Sequence, residues 1–202
     1  MSVEKIIGDW KKGKFKPVYL FHGEEGYFID QLVHFAENNI IKAEEADFNK
    51  TIFYGKDTDW VPVVTACRRH PMFADKQLVM IKEAQSMNSI EKLEAYLESP
   101  LASTILIIAH KGKTIDKRTK LFKFLDKNGE IFISTKVQDY KIHDWISDYV
   151  NDIGMKISSK SVGLLNDHIG NDLGRIVTEI EKLKINLGEK KTIDEDVIEK
   201  YI

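Results

Sequence analysis

The sequence predicts an α/β domain, a mostly parallel five-stranded sheet with helices on both faces, followed by a small all-helical domain. Three observations predict it. Short runs rich in β-branched and aromatic residues alternate with stretches at helical spacing. Four of the five runs are hydrophobic almost without interruption, as strands covered on both faces read. After about residue 136 the strand pattern stops and only apolar periods of three and four remain. Strand–helix alternation at this spacing favours parallel strands joined by helical crossovers.

In chain order, Val3, Ile6, Ile7 and Trp10 form the stripe of a first helix that ends at Gly13. The strands are read at Pro17–His22, Phe48–Tyr54, Gln77–Lys82, Thr104–Ala109 and Glu130–Ser134, the second being mixed in polarity and therefore an edge. Between them lie helical segments: Gly26–Ile41, with Phe28, Leu32 and Phe35 on one stripe; Asp59–Arg69; Ser89–Glu98; and Asp116–Asn128, closing at Gly129 as a left-handed cap. In the tail, Ile142, Trp145, Ile146, Tyr149, Val150 and Ile153 make one stripe, and Ser158 caps a helix carrying Val162, Leu165 and Ile169. The longest stripe runs through Leu173, Ile176, Val177, Ile180, Leu183 and Leu187, and Thr192-Ile-Asp-Glu195 has capping-box spacing before Val197 and Ile198. The boundary is placed near Gln138–Tyr140, giving domains 1–138 and 139–202.

Composition narrows the function. Two hundred and two residues at 43% hydrophobic content are ample for a packed core, and 30 Lys plus Arg against 32 Asp plus Glu give a net charge of −2. No net positive field draws such a chain onto nucleic acid, so any DNA contact is local or shared with partners. The one cysteine, Cys67, cannot form an internal disulfide or supply a four-thiolate zinc site, which fits a reducing, cytoplasmic compartment. No segment approaches about 18 consecutive apolar residues, so membrane spanning is not expected.

The first strand runs into Gly23-Glu24-Glu25-Gly26, where a nucleotide-binding protein places its phosphate loop. This turn lacks the Lys-Ser/Thr pair that neutralises phosphate and holds magnesium, and it puts two carboxylates where a polyanion would sit. It reads as a degenerate phosphate loop, or simply as a tight strand-to-helix turn. The hydrophobic strands that would carry Asp-Glu for metal and water instead run into Lys82-Glu83 and His110-Lys111, so hydrolysis is not expected. The six histidines do not pair at i, i+4, and Cys67 with His70 supplies only two ligands, so neither metal nor cofactor is expected. No nucleophile elbow or Cys/His pattern with a third orienting group is found, and no catalytic residue is assigned.

Two segments remain. Lys111–Lys123 holds six basic residues and one acid in thirteen positions; it is a solvated helix face or, through Lys111, Lys113, Lys117 and Arg118, a contact for DNA backbone. His70-Pro71-Met72-Phe73-Ala74-Asp75-Lys76 connects a helix to the third strand, with two large apolar side chains where a polar link is usual. Either Met72 and Phe73 tuck under the sheet, or they form an exposed anchor for a hydrophobic pocket on a partner, whose burial would contribute about 3–6 kcal/mol before entropic costs.

Three blocks together resemble the delta subunit of the bacterial DNA polymerase III clamp loader: Pro17-Val-Tyr-Leu-Phe-His-Gly-Glu-Glu-Gly-Tyr-Phe-Ile-Asp30, Cys67-Arg-Arg-His-Pro-Met-Phe-Ala-Asp-Lys-Gln-Leu-Val-Met-Ile-Lys82, and Ile169-Gly-Asn-Asp-Leu-Gly-Arg-Ile-Val-Thr-Glu-Ile-Glu-Lys-Leu183. The resemblance covers essentially the whole chain. It implies an AAA+-like, P-loop-type fold without ATPase activity and a helical lid, in which Arg175 matches a sensor arginine of ATP-hydrolysing relatives. It also implies a DNA replication role: the subunit of a DNA-directed DNA polymerase holoenzyme that binds the sliding clamp (beta) and holds its ring interface open for loading on primed DNA. By position the clamp-binding element falls on Met72 and Phe73, with His70 and Pro71 alongside. The common clamp-binding pentapeptide starts with Gln three residues before the apolar pair, and Arg69 stands there. The family's third, collar domain, which joins the other loader subunits, is expected to be absent from this chain. The alternatives are a degenerate P-loop nucleotide-binding enzyme, which would bind ATP through Gly23 or Gly26, and a DNA-binding module, whose affinity would depend steeply on salt.

Overall fold

The computed structural model describes residues 2–202, which form two compact units, 2–136 and 137–202. The first unit contains α1 (Val3–Lys11), β1 (Val18–Gly23), α2 (Gly26–Asn39), the short α3 (Ala46–Asn49), β2 (Lys50–Tyr54), α4 (Trp60–Cys67), β3 (Gln77–Lys82), the short α5 (Glu94–Leu97), β4 (Thr104–Lys111), α6 (Lys120–Asn128) and β5 (Glu130–Ser134). All five strands are parallel, in the order β2-β3-β4-β1-β5, so the predicted sheet is observed and β2 is an edge strand.

The parity of side chains along the strands builds the two faces. Val18 and Leu20 of β1, Val79 and Ile81 of β3, and Leu106 and Ile108 of β4 pack with α4 and α6 through Val63, Cys67, Leu121 and Leu125. The alternate residues Tyr19, Phe21, Leu78, Met80, Ile105 and Ile107 pack with α1 and α2 through Ile6, Trp10, Ile29 and Leu32. β1, β3 and β4 are therefore buried on both faces, which is why they read as continuous apolar runs. β5 departs from that expectation. It is the second edge, and Ile133 is exposed.

Several boundaries differ from the sequence reading for local reasons. Phe48 and Asn49 belong to α3, not to the second strand. The buried stripe of α2 is Ile29, Leu32, Val33 and Ala36, small enough to approach the sheet, while Phe28 and Phe35 lie half-buried at its margins. Ser89–Glu98 resolves into a 3₁₀ turn, Ile90–Leu93, followed by α5. The helix expected from Asp116 starts at Lys120, because Thr119 accepts a hydrogen bond from Phe122 N–H and caps it. Gly129 is not left-handed: its φ is −117°. A glycine is needed there because a Cβ would lie 2.7 Å from the Val18 carbonyl oxygen.

The second unit is helical: α7 (Ile142–Asp152), α8 (Ser159–Ile169), α9 (Leu173–Leu187) and α10 (Glu195–Tyr201). Ile142, Ile146 and Val150, with Val162, Leu165, Ile176, Ile180 and Leu183, are buried as their spacing predicts. Ser158 caps α8 through Ser161 N–H. Two features correct the sequence reading. A parallel pair of two-residue strands, β6 (Lys156–Ile157) and β7 (Thr192–Ile193), joins this unit, too short to show a period. Thr192 lies in β7, and Asp194 is the residue that caps α10, accepting from Val197 N–H.

His22 in β1 is fully buried; its Nδ1 accepts a hydrogen bond from Ile115 N–H at 3.0 Å, and its ring meets Phe122 edge-on. Burial, reinforced by the neighbouring positive charges of His110 and Lys117, pushes its pKa down to about 4. The neutral ring is favoured only in the folded state, so His22 leaves stability unchanged above about pH 6.5, its unfolded value. As pH falls from there to about 4, the unfolded state takes up the proton first and stability drops by up to about 3 kcal/mol. Urea titrations between pH 7 and 4.5 should show this loss, and His22→Asn should flatten most of the slope; an unchanged slope in the variant would contradict the assignment.

Candidate clamp-binding element and phosphate turn

The connector from α4 to β3 begins at Arg68, where the helix ends, and Pro71 within it offers no amide N–H. It exposes rather than buries its apolar pair: Met72 is 50% and Phe73 95% solvent-accessible. Phe73 also has φ of +55°, a left-handed backbone that an aromatic residue adopts only when its surroundings impose it. His70 is exposed and Pro71 half-buried beside them.

Three polar side chains hold this connector. Asn49, 1% exposed, accepts a hydrogen bond from Met72 N–H (2.7 Å) and donates one to the Met72 carbonyl (2.8 Å). Gln77 donates to the Arg69 carbonyl (2.6 Å), the Ala66 carbonyl (3.2 Å) and Thr104 Oγ1 (2.8 Å). Thr104 in turn donates to the Cys67 carbonyl at 2.9 Å, so the last turn of α4 and the start of the connector are tied to β3 and β4. Cys67 itself is buried, and burial pushes its thiol up to about 12, which leaves no thiolate for chemistry. Asn49, Gln77 and Thr104 were not singled out by the sequence reading. For Gln77 and Thr104 the visible signal is a polar residue at the first position of a largely apolar strand; Asn49, before the mixed-polarity β2, carries no such signal.

The phosphate turn lies at the other end of the strands. Gly23 has φ of +139°, and a Cβ on it would sit 2.0 Å from the Ser134 carbonyl oxygen. That oxygen accepts from Glu24 N–H (2.9 Å) and Glu25 N–H (3.4 Å), while Ser134 Oγ donates to the Glu25 carbonyl (2.6 Å). The Glu25 carboxylate caps α2 through Tyr27 N–H at 3.2 Å. The amides that would cradle phosphate are thus directed into the protein, and a carboxylate occupies the helix start.

Among the basic residues, Lys111 forms an ion pair with Asp30 at 2.5 Å, and Arg118 is bonded to Asp116 through both Nε and Nη2. The Arg118 hydrogen bond holds the exposed Asp116 carboxyl down at about 2. Lys113 bridges to Gly23 through its backbone, and its side chain and that of Lys117 are exposed. Of these four cations, Lys111 and Arg118 are thus paired with carboxylates. Arg175, on the second unit, is exposed near the start of α9.

Five parallel strands with a glycine turn leading from the interior strand β1 into a helix, followed by a helical unit, define the chain as an AAA+-like α/β protein. The family model for the DNA polymerase III delta subunit matches residues 19–134, and the chain belongs to that family. The DNA polymerase III subunit delta of Bacillus subtilis is 23% identical over 206 residues, 95% of this chain and 58% of that protein. The solved Bacillus subtilis DNA clamp loader delta protein superposes with a TM-score of 0.72 at 22% identity, covering 99% of this chain and 62% of the other. The Thermotoga maritima RuvB Holliday junction branch migration motor shares the fold, with a TM-score of 0.56 at 13% identity over 98% of this chain and 67% of its own. The chain therefore spans about three fifths of the length of its delta relatives.

The contact of Gly23 with Ser134 makes a stability prediction. Gly23→Ala should destabilise the first unit by at least about 3 kcal/mol, since a Cβ must displace backbone on β5. Urea denaturation followed by far-UV circular dichroism would test it; an alanine variant within about 1 kcal/mol of the parent would mean that the turn relaxes freely.

Proposed function

We propose that this chain grips a ring-shaped sliding clamp through Met72 and Phe73, with His70 and Pro71 alongside, and holds one ring interface open for loading on primed DNA. The observation that carries the reading is Phe73: an aromatic ring almost wholly exposed, on a left-handed backbone, in a connector tied to the sheet. An apolar side chain held in water at the apex of a rigid loop has the form of an anchor for a hydrophobic pocket. Family membership makes the clamp the natural owner of that pocket. The helical unit is read as the lid, and contacts with other loader subunits are assigned to the part of the relatives' length that this chain does not span.

In this reading the chain acts mechanically. Binding the open ring better than the closed one shifts the ring's equilibrium by the difference in affinity, with no bond made or broken. The turn at Gly23–Gly26 supports a chain that neither binds nor hydrolyses ATP, because the Glu24, Glu25 and Tyr27 amides already have carbonyl and carboxylate partners. DNA contact stays indirect or weak, with Lys111 and Arg118 engaged by acids and the chain's net charge at −2.

Replacing Met72 and Phe73 together by alanine should weaken clamp binding by roughly a thousandfold, to below detection by calorimetric titration, with an unchanged circular dichroism spectrum. Retained affinity would refute the assignment. Titration of the purified chain with Mg-ATP should give no saturable heat; binding that disappears on altering Gly26 would favour the nucleotide-binding alternative.

A further inference from the structure

The clamp-gripping reading does not explain why a buried carboxamide, 23 residues away in sequence, reaches the anchor. We propose that Asn49 is the positioning residue of the anchor: by holding both backbone polar groups of Met72 it keeps Phe73 exposed in its docking conformation. The inference rests on the clamp-binding reading and deepens it.

Asn49 is the last residue of α3 and directly precedes Lys50, which is in register with Leu78. It is therefore level with Gln77 at the amino edge of the sheet, and the two amides hold different points of one loop. Gln77 fixes its start at Arg69, and Asn49 fixes its apex at Met72. A carboxamide suits the second task because it presents a donor and an acceptor side by side, matching the carbonyl and N–H of one residue as a neighbouring strand would. A carboxylate keeps the acceptor but sets negative oxygen against the Met72 carbonyl, and alanine offers neither bond.

The two bonds also account for the left-handed Phe73. An aromatic residue with φ of +55° is strained and leaves that region unless its neighbours fix the backbone. Met72 is the residue before it, and with its N–H and carbonyl both engaged, the peptide entering Phe73 cannot turn to relieve the strain. Released, the loop spreads over conformations with the ring elsewhere, and the apparent dissociation constant rises in inverse proportion to the competent fraction. The loss then appears in the association rate, because a loop that has docked makes the same contacts as before.

The test uses the whole chain and the cognate sliding clamp, with Asn49→Ala and Asn49→Asp compared with the parent by surface plasmon resonance, and amide hydrogen exchange at Met72 read by NMR. Both variants should associate about tenfold more slowly while dissociation changes less than about twofold, and Met72 N–H should lose its protection. Circular dichroism checks folding; if Asn49→Ala does not fold, Asn49→Asp, which conserves volume, decides. Parent-like affinity in a variant whose Met72 amide has become exchangeable overturns the inference and leaves the clamp reading standing, as does a loss confined to dissociation, which would mark Asn49 as a direct contact. Undiminished binding by Phe73→Ala refutes the clamp reading and the inference with it.

Discussion

The backbone of Gly23 lies against that of Ser134 with no room for a side chain between them, and much of the first unit follows from this one approach. It joins the end of β1 to the end of the neighbouring β5, fixes the direction in which the chain leaves β1, and so sets where α2 lies on the sheet. Because the Ser134 carbonyl then accepts from Glu24 and Glu25, the turn has its donors facing inward. The same contact that stabilises the turn thus engages two backbone donors at the place in the fold where a phosphate loop would present them. Addition of a lysine alone would not restore it, since the backbone donors would still be engaged.

At the opposite, amino-terminal edge of the sheet the chemistry is reversed. There the strands start with polar residues, Gln77 and Thr104, and the short α3 ends on Asn49; their side chains serve as struts for a loop. Parallel strands make this separation possible, because every crossover returns the chain to the same edge. One edge carries the degenerate turn and the other the apolar pair. A protein built this way can lose its nucleotide chemistry without disturbing the connector, and the connector can be elaborated without touching the turn.

What was legible in the sequence was whatever burial imposes. Val18-Tyr-Leu-Phe21 and Ile105-Leu-Ile-Ile108 had to be central strands, since nothing else hides that many adjacent apolar side chains. That the turn after β1 lacks the Lys-Ser/Thr pair was legible too, because it is a matter of residue types alone. The exposure of Phe73 was not: Met-Phe after a proline has the same composition beneath a sheet as above it, and the side chain that binds this loop, Asn49, has its partner 23 residues on. Gly129 misled for a related reason. A glycine after a helix usually supplies a left-handed cap, but here its lack of a side chain admits the Val18 carbonyl at the start of the neighbouring strand β1, a contact 111 residues away in sequence. β6 and β7, at two residues each, are below the length at which alternation can be recognised.

An exposed phenylalanine has a standing cost that the rest of the structure bears. A free loop would fold such a ring back onto the nearest apolar surface, shielding it from water and hiding it from a partner. Keeping it out requires backbone bonds stronger than that tendency, and these can come only from groups already immobilised by the core. Asn49 and Gln77 qualify: both are buried, and both stand at strand starts whose registers are fixed by β2–β3 and β3–β4 pairing. In the proposed reading the apolar core thus acts at a distance on a surface residue, through two amides. In the proposed reading this rigidity is what lets a small contact act on a large ring, because a grip that yields under load would take up the strain itself instead of passing it to the ring interface.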